Sequence, residues 1–331
     1  MSALAPSLQA FFTDRLVNQL NASPNTIAAY RDSWRLLLGF LQQRTGRQPS
    51  QLDLADLHSD AISAFLDYLE VDRRNSIRTR NARLAAIRSF FRFASLRHPE
   101  HAELIARVLA IPTKHAAHSE ISYLTGEEIT ALIDAPDMGT WIGRRDHALI
   151  DLAAQTGLRV SELTGLRNCD IELGAGAHVR CQGKGRKNRC TPIPKSTVAV
   201  LRSWTGETQG QPDEPLFPSQ RGGHLTRGGV EELVTKHAGV AARRCPSIAT
   251  KQTTTPHTIR HGCAMEFLRC GVDVAVISLW LGHERLETTY RNYIHADMTI
   301  KERALARTAP HNTKPGRYRP PDQLLAFLDS L

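Results

Sequence analysis

The sequence predicts a mainly α-helical protein with a small β-sheet (α+β), and three observations support this fold class. The first ~110 residues carry apolar side chains at helical spacing between short polar turns. Two β-like runs, 178–182 and 189–193, flank a glycine-rich basic turn and predict one hairpin. The chain has 331 residues, which is enough to bury two hydrophobic cores, so two domains are expected.

Residues 1–110 are predicted to form a helical domain. Ser23 and Pro24 are typical of a helix start, with serine as N-cap and proline at the first helical position. The apolar residues that follow at helical spacing are Ile27, Tyr30, Trp34, Leu37, Leu38 and Leu41. A second helix is expected over residues 60–69, with an apolar stripe that packs.

The segment 73–92 combines an apolar stripe with a dense run of arginine. Leu84, Ile87 and Phe90 are expected to face a core, while the arginines form a basic face. A solvated surface would account for the charge, but arginine without neighbouring lysine favours phosphate contacts, because its fork matches phosphate oxygens. The predicted nucleic-acid contacts are Arg78, Arg80, Arg83, Arg88 and Arg92.

Residues 111–122 are predicted to be a linker, because the helical pattern loosens there. A second domain, 123–307, opens at Thr125 and Glu128, which have the spacing of a capping box. Further helices are expected over residues 144–156, 195–204, 226–243 and 257–270. The stretch 206–223 is rich in proline and glycine and is expected to be loop.

Residues 308–331 are predicted to be a flexible tether that ends in a docking helix. The last residues carry Leu324, Leu325 and Phe327 in a short amphipathic stretch. A helix this short is not stable alone, so it must dock on its own body or on a neighbouring copy. The tether is compatible with either.

The composition favours a polyanionic partner. The net charge of +9 suits phosphate binding, since basic residues gain affinity by releasing counterions. No apolar run approaches the ~20 residues of a membrane-spanning helix, and the start does not resemble a signal peptide. The six cysteines form no Cys-x-x-Cys pair, which favours reduced thiols in a cytosol. The spacing of His257, His261, Cys263 and Cys270 matches no familiar zinc site.

The last third of the chain carries residue types suited to phosphodiester chemistry. Cationic groups offset the charge on the non-bridging oxygens, most of all in the transition state. Arg159 follows a predicted helix end, and Arg260 lies three residues after His257 in the first turn of a helix, where backbone N–H groups also attract phosphate. Surface salt bridges are the ordinary alternative for both arginines. A lone histidine is usually structural, but His257 and His283 near one arginine favour proton transfer.

The segments 156–163, 183–185, 255–261 and 281–283, followed by Tyr290 and Tyr293, resemble the tyrosine recombinase (phage integrase) family over nearly the whole chain. The resemblance implies an N-terminal core-binding domain of SAM-like fold and a C-terminal catalytic domain, which together form a C-shaped clamp on DNA. It also implies a site-specific recombinase, such as the integrase or transposase of a mobile element, that cleaves and rejoins DNA through a 3′-phosphotyrosine intermediate.

The resemblance also assigns roles to residues. In the family the nucleophile follows the Leu-Gly-His histidine by nine residues, a position that Asn292 holds here. Tyr293 lies one place later in a family-like context and is the predicted nucleophile, while Tyr290 lies on nearly the same helical face and stays an alternative. Lys184 is predicted to protonate the departing 5′ oxygen. The spacing of Arg186, Lys187 and Arg189 spreads them over the basic turn, which favours contacts with backbone phosphates.

The implied reaction needs no cofactor, because the covalent intermediate conserves the bond energy. Neither a P-loop motif nor a carboxylate cluster suited to two-metal chemistry is present in the sequence. The expected partners are double-stranded DNA and further copies of the chain in a synaptic tetramer, with the C-terminal helix docking in trans as is common in the family. A partner recombinase is a further candidate. The expected location is the prokaryotic cytoplasm, at the nucleoid, with no membrane partner.

Two alternatives stay open at this point. A type IB topoisomerase uses the same chemistry but needs no synapsis, and the tethered tail favours a recombinase over it. A DNA-binding accessory protein would keep the fold without cutting DNA. Such a protein would be expected to have lost catalytic positions, whereas here only the tyrosine spacing is irregular.

Overall fold

The computed structural model describes residues 4–116, 122–182, 188–251 and 253–282. The chain divides into two compact units, with the division between Ser119 and Glu120. Each unit has its own hydrophobic core. In the described part of the chain, no helix is both long enough and apolar enough to cross a membrane.

The first unit is helical. Its helices are α1 (Leu4–Ala10, continued by a π-helical segment Phe11–Gln19), α2 (Pro24–Thr45), α3 (Ser59–Val71), α4 (Ile77–Ala94) and α5 (Ala102–Ala110). Ser23 caps α2 as predicted, its side chain accepting a hydrogen bond from the Thr26 N–H. Trp34 on α2 packs edge-on against Phe90 on α4, with ring centroids 4.7 Å apart. This aromatic contact lies in the core that α2 and α4 share.

The second unit contains seven helices in its described part. They are α6 (Gly126–Ile133), α7 (Trp141–Thr156), α8 (Val160–Gly165), α9 (Lys195–Thr208), α10 (Arg227–Ala241), α11 (Pro256–Arg269) and α12 (Val274–Leu281). The predicted capping box at the start of α6 is confirmed, with Thr125 and Glu128 exchanging hydrogen bonds. Helix α9 runs four residues beyond the predicted helix 195–204, so the predicted loop begins later.

The sheet has three antiparallel strands in the order β1-β2-β3: β1 (Ile171–Glu172), β2 (His178–Gln182) and β3 (Asn188–Pro192). The predicted hairpin is confirmed as β2 and β3, with Val179 opposite Thr191 and Cys181 opposite Arg189. Strand β1 was not predicted, because two residues are too few to show a periodic pattern. The register matters for the site, since it directs the Arg189 side chain toward Cys181 and away from solvent.

Two glycines bring the helices of the second unit close together. Gly157 ends α7 with φ +61°, and a Cβ on it would lie 2.7 Å from the Leu281 side chain of α12. Gly282 ends α12 in the same left-handed conformation, with φ +64°. Because only glycine adopts this conformation without steric cost, both helix ends depend on it. The result is that the C-termini of α7 and α12 converge.

Candidate active site

The C-terminus of α12 binds three arginines, one on each of three successive backbone carbonyls. Arg189 donates to the Trp280 oxygen at 2.8 Å, Arg260 to the Leu281 oxygen at 2.6 Å, and Arg159 to the Gly282 oxygen at 2.7 Å. The last carbonyls of a helix have no partner within the helix and carry partial negative charge, which favours cations there. Three guanidinium groups therefore gather at the carbonyls of residues 280–282.

Arg159 is held at its position by the start of α8. It is the residue that precedes the helix, and its backbone N–H donates to Glu162 Oε2 at 2.7 Å. Its Nη1 donates to Glu162 Oε1 at 3.0 Å, and its side chain keeps 26% of its surface exposed. Arg159 is thus a fixed guanidinium with one side open to solvent.

Glu162 is a buried carboxylate shared by two arginines. Its side chain is 3% exposed, and while Oε1 binds Arg159, Oε2 accepts a hydrogen bond from Arg189 Nη2 at 2.7 Å. A buried carboxylate needs such partners, because an unpaired charge in the protein interior is strongly destabilising. Glu162 was not among the predicted site residues, although its three-residue spacing from Arg159 is that of a capping pair and is a usable signal.

Arg260 is almost fully buried, with 3% of its surface exposed. It lies in the first turns of α11, which begins at Pro256 after the N-cap Thr255. Its guanidinium bridges the ends of two other helices, donating to the Gly157 oxygen at 2.5 Å and to the Leu281 oxygen at 2.6 Å. Arg260 therefore joins α7, α11 and α12 at the site.

His257 and His261 lie one turn apart on α11 with their rings stacked, 5.6 Å between centroids and 12° between planes. Partial burial lowers the pKa of His257, and the charges of Arg260, Arg227 and Arg159 lower it further. Burial, His257 and Arg260 lower the pKa of His261 to about 4. Both imidazoles are accordingly neutral at pH 7, which leaves each with a nitrogen able to accept a proton.

Arg227, the first residue of α10, adds positive charge near His257 and was not among the predicted site residues. Its side chain is 71% exposed and pairs with Glu231 one turn later. The sequence placed a helix start at this point but contained no signal that α10 would approach α11. Only the packing of the two helices brings Arg227 to the site.

The titration of His261 should make the stability of the second unit depend on acidity. Its folded-state pKa of about 4 lies below the ordinary 6.5, so between these values the unfolded chain binds a proton that the folded chain does not. The contribution of neutral His261 to the free energy of unfolding is fully present above pH 6.5. It falls as the pH drops toward 4, by up to about 1.4 kcal/mol per pH unit. Urea unfolding measured across this range should show a shallower decline for His261→Gln. An unchanged slope in that variant would contradict the assignment. The control is His224→Gln, which replaces an exposed histidine of the same unit.

Several predicted site residues lie outside the described residues. Lys184, Arg186 and Lys187 belong to the segment 183–187, and His283, Tyr290 and Tyr293 to the segment that follows Gly282. Of the predicted catalytic residues, the structure brings together Arg159, His257 and Arg260. Within the described ranges, no group of three or more His, Cys, Asp or Glu side chains is arranged to hold a metal ion.

The position of Arg189 requires a correction to its predicted phosphate contact. Its side chain is only 13% exposed, and its three guanidinium nitrogens bind Cys181 Sγ, the Trp280 oxygen and Glu162. The guanidinium is therefore committed to protein partners and is not presented to a DNA backbone.

The arginines of α4 divide into two groups, which corrects the predicted basic face. Arg78 and Arg92 are exposed, and Arg83 is half-buried. Arg80 is 5% exposed; it pairs with Glu70 at 3.4 Å and donates to the Pro112 oxygen at 3.0 Å, while Arg88 donates to the Ile111 oxygen. Arg80 and Arg88 thus bind the backbone that follows α5, because α4 packs beside that segment. Their side chains are directed to these carbonyls and not to a phosphate.

Family models match both halves of the chain. The model described as the phage integrase family covers residues 122–299, and that of the phage integrase N-terminal SAM-like domain covers residues 10–98. A putative integrase/recombinase of Sinorhizobium fredii, y4rC, is 50% identical over 100% of this chain and 99% of the relative. The tyrosine recombinase XerD of Pseudomonas putida is 33% identical over 87% of this chain and 93% of the relative.

Solved structures share the fold. The XerH site-specific recombinase, bound to palindromic difH substrate in a post-cleavage complex, matches with a TM-score of 0.69 and 22% identity, over 87% of this chain and 81% of that chain. The Tn1549 transposon integrase in complex with transposon right end DNA matches with a TM-score of 0.68 and 15% identity, over 91% and 98%. These matches confirm the predicted fold class, a mainly helical chain with a small sheet.

Proposed function

Because this chain belongs to the phage integrase family of tyrosine recombinases, we propose that Arg159, His257 and Arg260 form the phosphate-binding half of its active site. The chain is a site-specific DNA recombinase, an enzyme of the integrase type that cleaves and rejoins DNA strands through a tyrosine. The observation that carries the assignment of residues is the convergence of Arg159 and Arg260 on the last carbonyls of α12, with His257 near both.

Each of these side chains has a chemical task in the transesterification. Arg159 and Arg260 stabilise the charge that builds on the non-bridging oxygens as a nucleophile attacks phosphorus. His257, neutral at pH 7, is suited to hydrogen bonding with the phosphate and to proton transfer. Partial burial and then the charges of Arg260 and Arg159 lower the pKa of His257, and these two charges also attract the phosphate.

The remaining roles belong to residues outside the described part of the chain. We assign the nucleophile to Tyr293, which gives its phenolic proton to His257 or His283 and bonds to phosphorus. The 5′ oxygen departs with a proton from Lys184. His283 follows Gly282 directly and joins His257 in proton transfer and phosphate contact. The freed 5′ hydroxyl then attacks a phosphotyrosine bond in a partner strand, which restores the tyrosine.

Strand exchange between two sites needs several copies of the chain. We propose a synaptic tetramer on double-stranded DNA in which residues 321–331 form a helix that docks on the neighbouring copy. A second recombinase is a further candidate partner. The matched relatives come from bacteria, which supports action on DNA in the cytoplasm at the nucleoid. Exposed Arg78 and Arg92 on α4 are the candidates for DNA contacts in the first unit.

A nicked suicide substrate tests the proposal. The purified chain is incubated with DNA that carries an end of its element and a nick beside the scissile phosphate, and denaturing gels measure covalent protein–DNA adduct. We expect the adduct to accumulate, since the departing strand is lost and religation is blocked. It should form without added metal or ATP, because the covalent intermediate conserves the bond energy. On native gels, deletion of residues 320–331 should reduce paired complexes more than single-site binding. DNA that binds the full chain but yields no adduct would favour the non-cutting accessory protein.

A further inference from the structure

All three guanidinium nitrogens of Arg189 form hydrogen bonds within the protein. Arg189 lies on β3 opposite Cys181. Its Nε, Nη1 and Nη2 each have a separate protein partner: Cys181 Sγ at 3.2 Å, the Trp280 oxygen at 2.8 Å and Glu162 Oε2 at 2.7 Å. One side chain thereby joins the sheet, the C-terminus of α12 and the buried carboxylate beside Arg159. A side chain that bound DNA would need free N–H groups facing solvent.

The end of α12 is shaped to receive Arg189. A Cβ built on Gly282 would lie 2.7 Å from Arg189 Nη1 and 3.2 Å from its Cδ. The guanidinium therefore occupies the space that any side chain at position 282 would need. Since Gly282 also binds Arg159 through its carbonyl, a shift of Arg189 changes the position of a direct Arg159 partner.

Glu162 couples Arg189 to Arg159 through charge. A phosphate bound by Arg159 competes with Glu162 Oε1 for the same guanidinium, and a buried carboxylate with few cationic partners holds such a guanidinium strongly. Arg189 supplies a second guanidinium to Glu162 through Oε2, which weakens the hold of this carboxylate on Arg159. Without Arg189, Glu162 would hold Arg159 as its only guanidinium partner among the described residues.

We propose that Arg189 is a positioning residue for strand cleavage, which keeps Glu162 paired and so frees the Arg159 guanidinium to bind the scissile phosphate. The proposal rests on the proposed function. Arg189 then acts on the position of Arg159, through Glu162 and the end of α12, and does not contact DNA.

The test compares Arg189→Ala and Arg189→Lys with Arg202→Ala. Arg202 is a matched control, because it is an exposed arginine of α9 that also donates to a backbone carbonyl, that of Leu173. DNA affinity is measured by gel shift. The rate of adduct formation by fully bound complexes is measured on the nicked substrate and on the same DNA with a methylphosphonate at the scissile position. A methylphosphonate lacks the charged oxygen, so its cleavage depends less on the charge of Arg159.

For Arg189→Ala we expect DNA affinity within about threefold of the wild type and an adduct rate about 10- to 100-fold lower, as for a displaced catalytic group. On the methylphosphonate the deficit should shrink to about threefold, because the Arg159 charge then matters less. The adduct rate of Arg189→Lys should lie between those of the wild type and Arg189→Ala, since lysine can pair with Glu162 but cannot also reach the Trp280 oxygen. Arg202→Ala should match the wild type on both substrates.

Other outcomes would overturn the proposal. A large loss of DNA affinity with an unchanged adduct rate would mean that Arg189 contacts DNA. Equal deficits on both substrates, in Arg189→Ala and in Arg189→Lys, would mean a general structural defect. A wild type that binds DNA but forms no adduct would refute the proposed function, and this inference with it, whereas wild-type adduct with an unimpaired Arg189→Ala would refute this inference alone.

Discussion

Replacing Tyr293 with phenylalanine should abolish the covalent protein–DNA adduct while leaving DNA affinity nearly intact. The substitution removes only the phenolic oxygen that forms the bond to phosphorus, and no other atom of the side chain can replace it. Denaturing gels with the nicked substrate measure the adduct, and gel shifts on the same DNA measure binding. The adduct should fall below detection at protein concentrations that saturate the DNA.

Tyr290→Phe is the matched control, because Tyr290 lies three residues earlier and the substitution removes the same oxygen. It should retain adduct formation. The comparison matters because the family's usual nucleophile position is held here by Asn292. Loss of the adduct in Tyr290→Phe, with Tyr293→Phe still active, would refute the assignment of Tyr293.

Removing either active-site arginine should slow cleavage by about 100- to 1000-fold, the usual effect of losing one group that stabilises a transition-state anion. Arg159→Ala and Arg260→Ala are both expected to show this loss in single-turnover adduct assays. Lysine should restore only part of the rate, because it cannot form the forked contact of a guanidinium. Full activity in Arg159→Lys and Arg260→Lys would contradict a forked contact with phosphate.

The same two variants should differ in stability. Arg260 is 3% exposed and bridges the Gly157 and Leu281 oxygens, so Arg260→Ala leaves two buried carbonyls without this donor, each costing about 1–3 kcal/mol. The side chain of Arg159 is 26% exposed, and water can replace part of what is lost there. Urea unfolding should therefore show a clearly larger destabilisation for Arg260→Ala. Equal midpoints for both variants would mean that the Arg260 bridge contributes little.

Local sequence signals predicted the helix starts well, because caps depend on residues close together in the chain. Ser23 with Pro24, and Thr125 with Glu128, begin α2 and α6 as expected. The β2–β3 hairpin was also predictable from its alternating runs and basic turn. The length of α9 and the presence of β1 were not. Helix α9 ends at Gln209 in the left-handed conformation, where glycine is the usual signal, and β1 has only two residues.

The arginines show where sequence reasoning stops. A dense run in α4 predicts one basic face, yet Arg80 and Arg88 turn inward to the carbonyls of Pro112 and Ile111 while Arg78 stays exposed. Arg189 is similar, because a basic turn predicts phosphate contacts and the strand register places this side chain against Glu162 instead. Inward-facing and exposed arginines have the same charge and similar spacing in the sequence. Only the elements that pack beside them distinguish the two kinds.

By itself the sequence determined the fold class and the family, and through the family the chemistry, because these follow from periodicity, caps and motifs that lie within short segments. Tertiary structure alone decided that three arginines share the end of α12, that Glu162 links two of them, and that Arg227 adds charge near His257. The physical reason is that burial, hydrogen-bond partners and electrostatic fields are set by residues distant in the chain. They exist only once α7, α8, α11, α12 and the sheet have packed together.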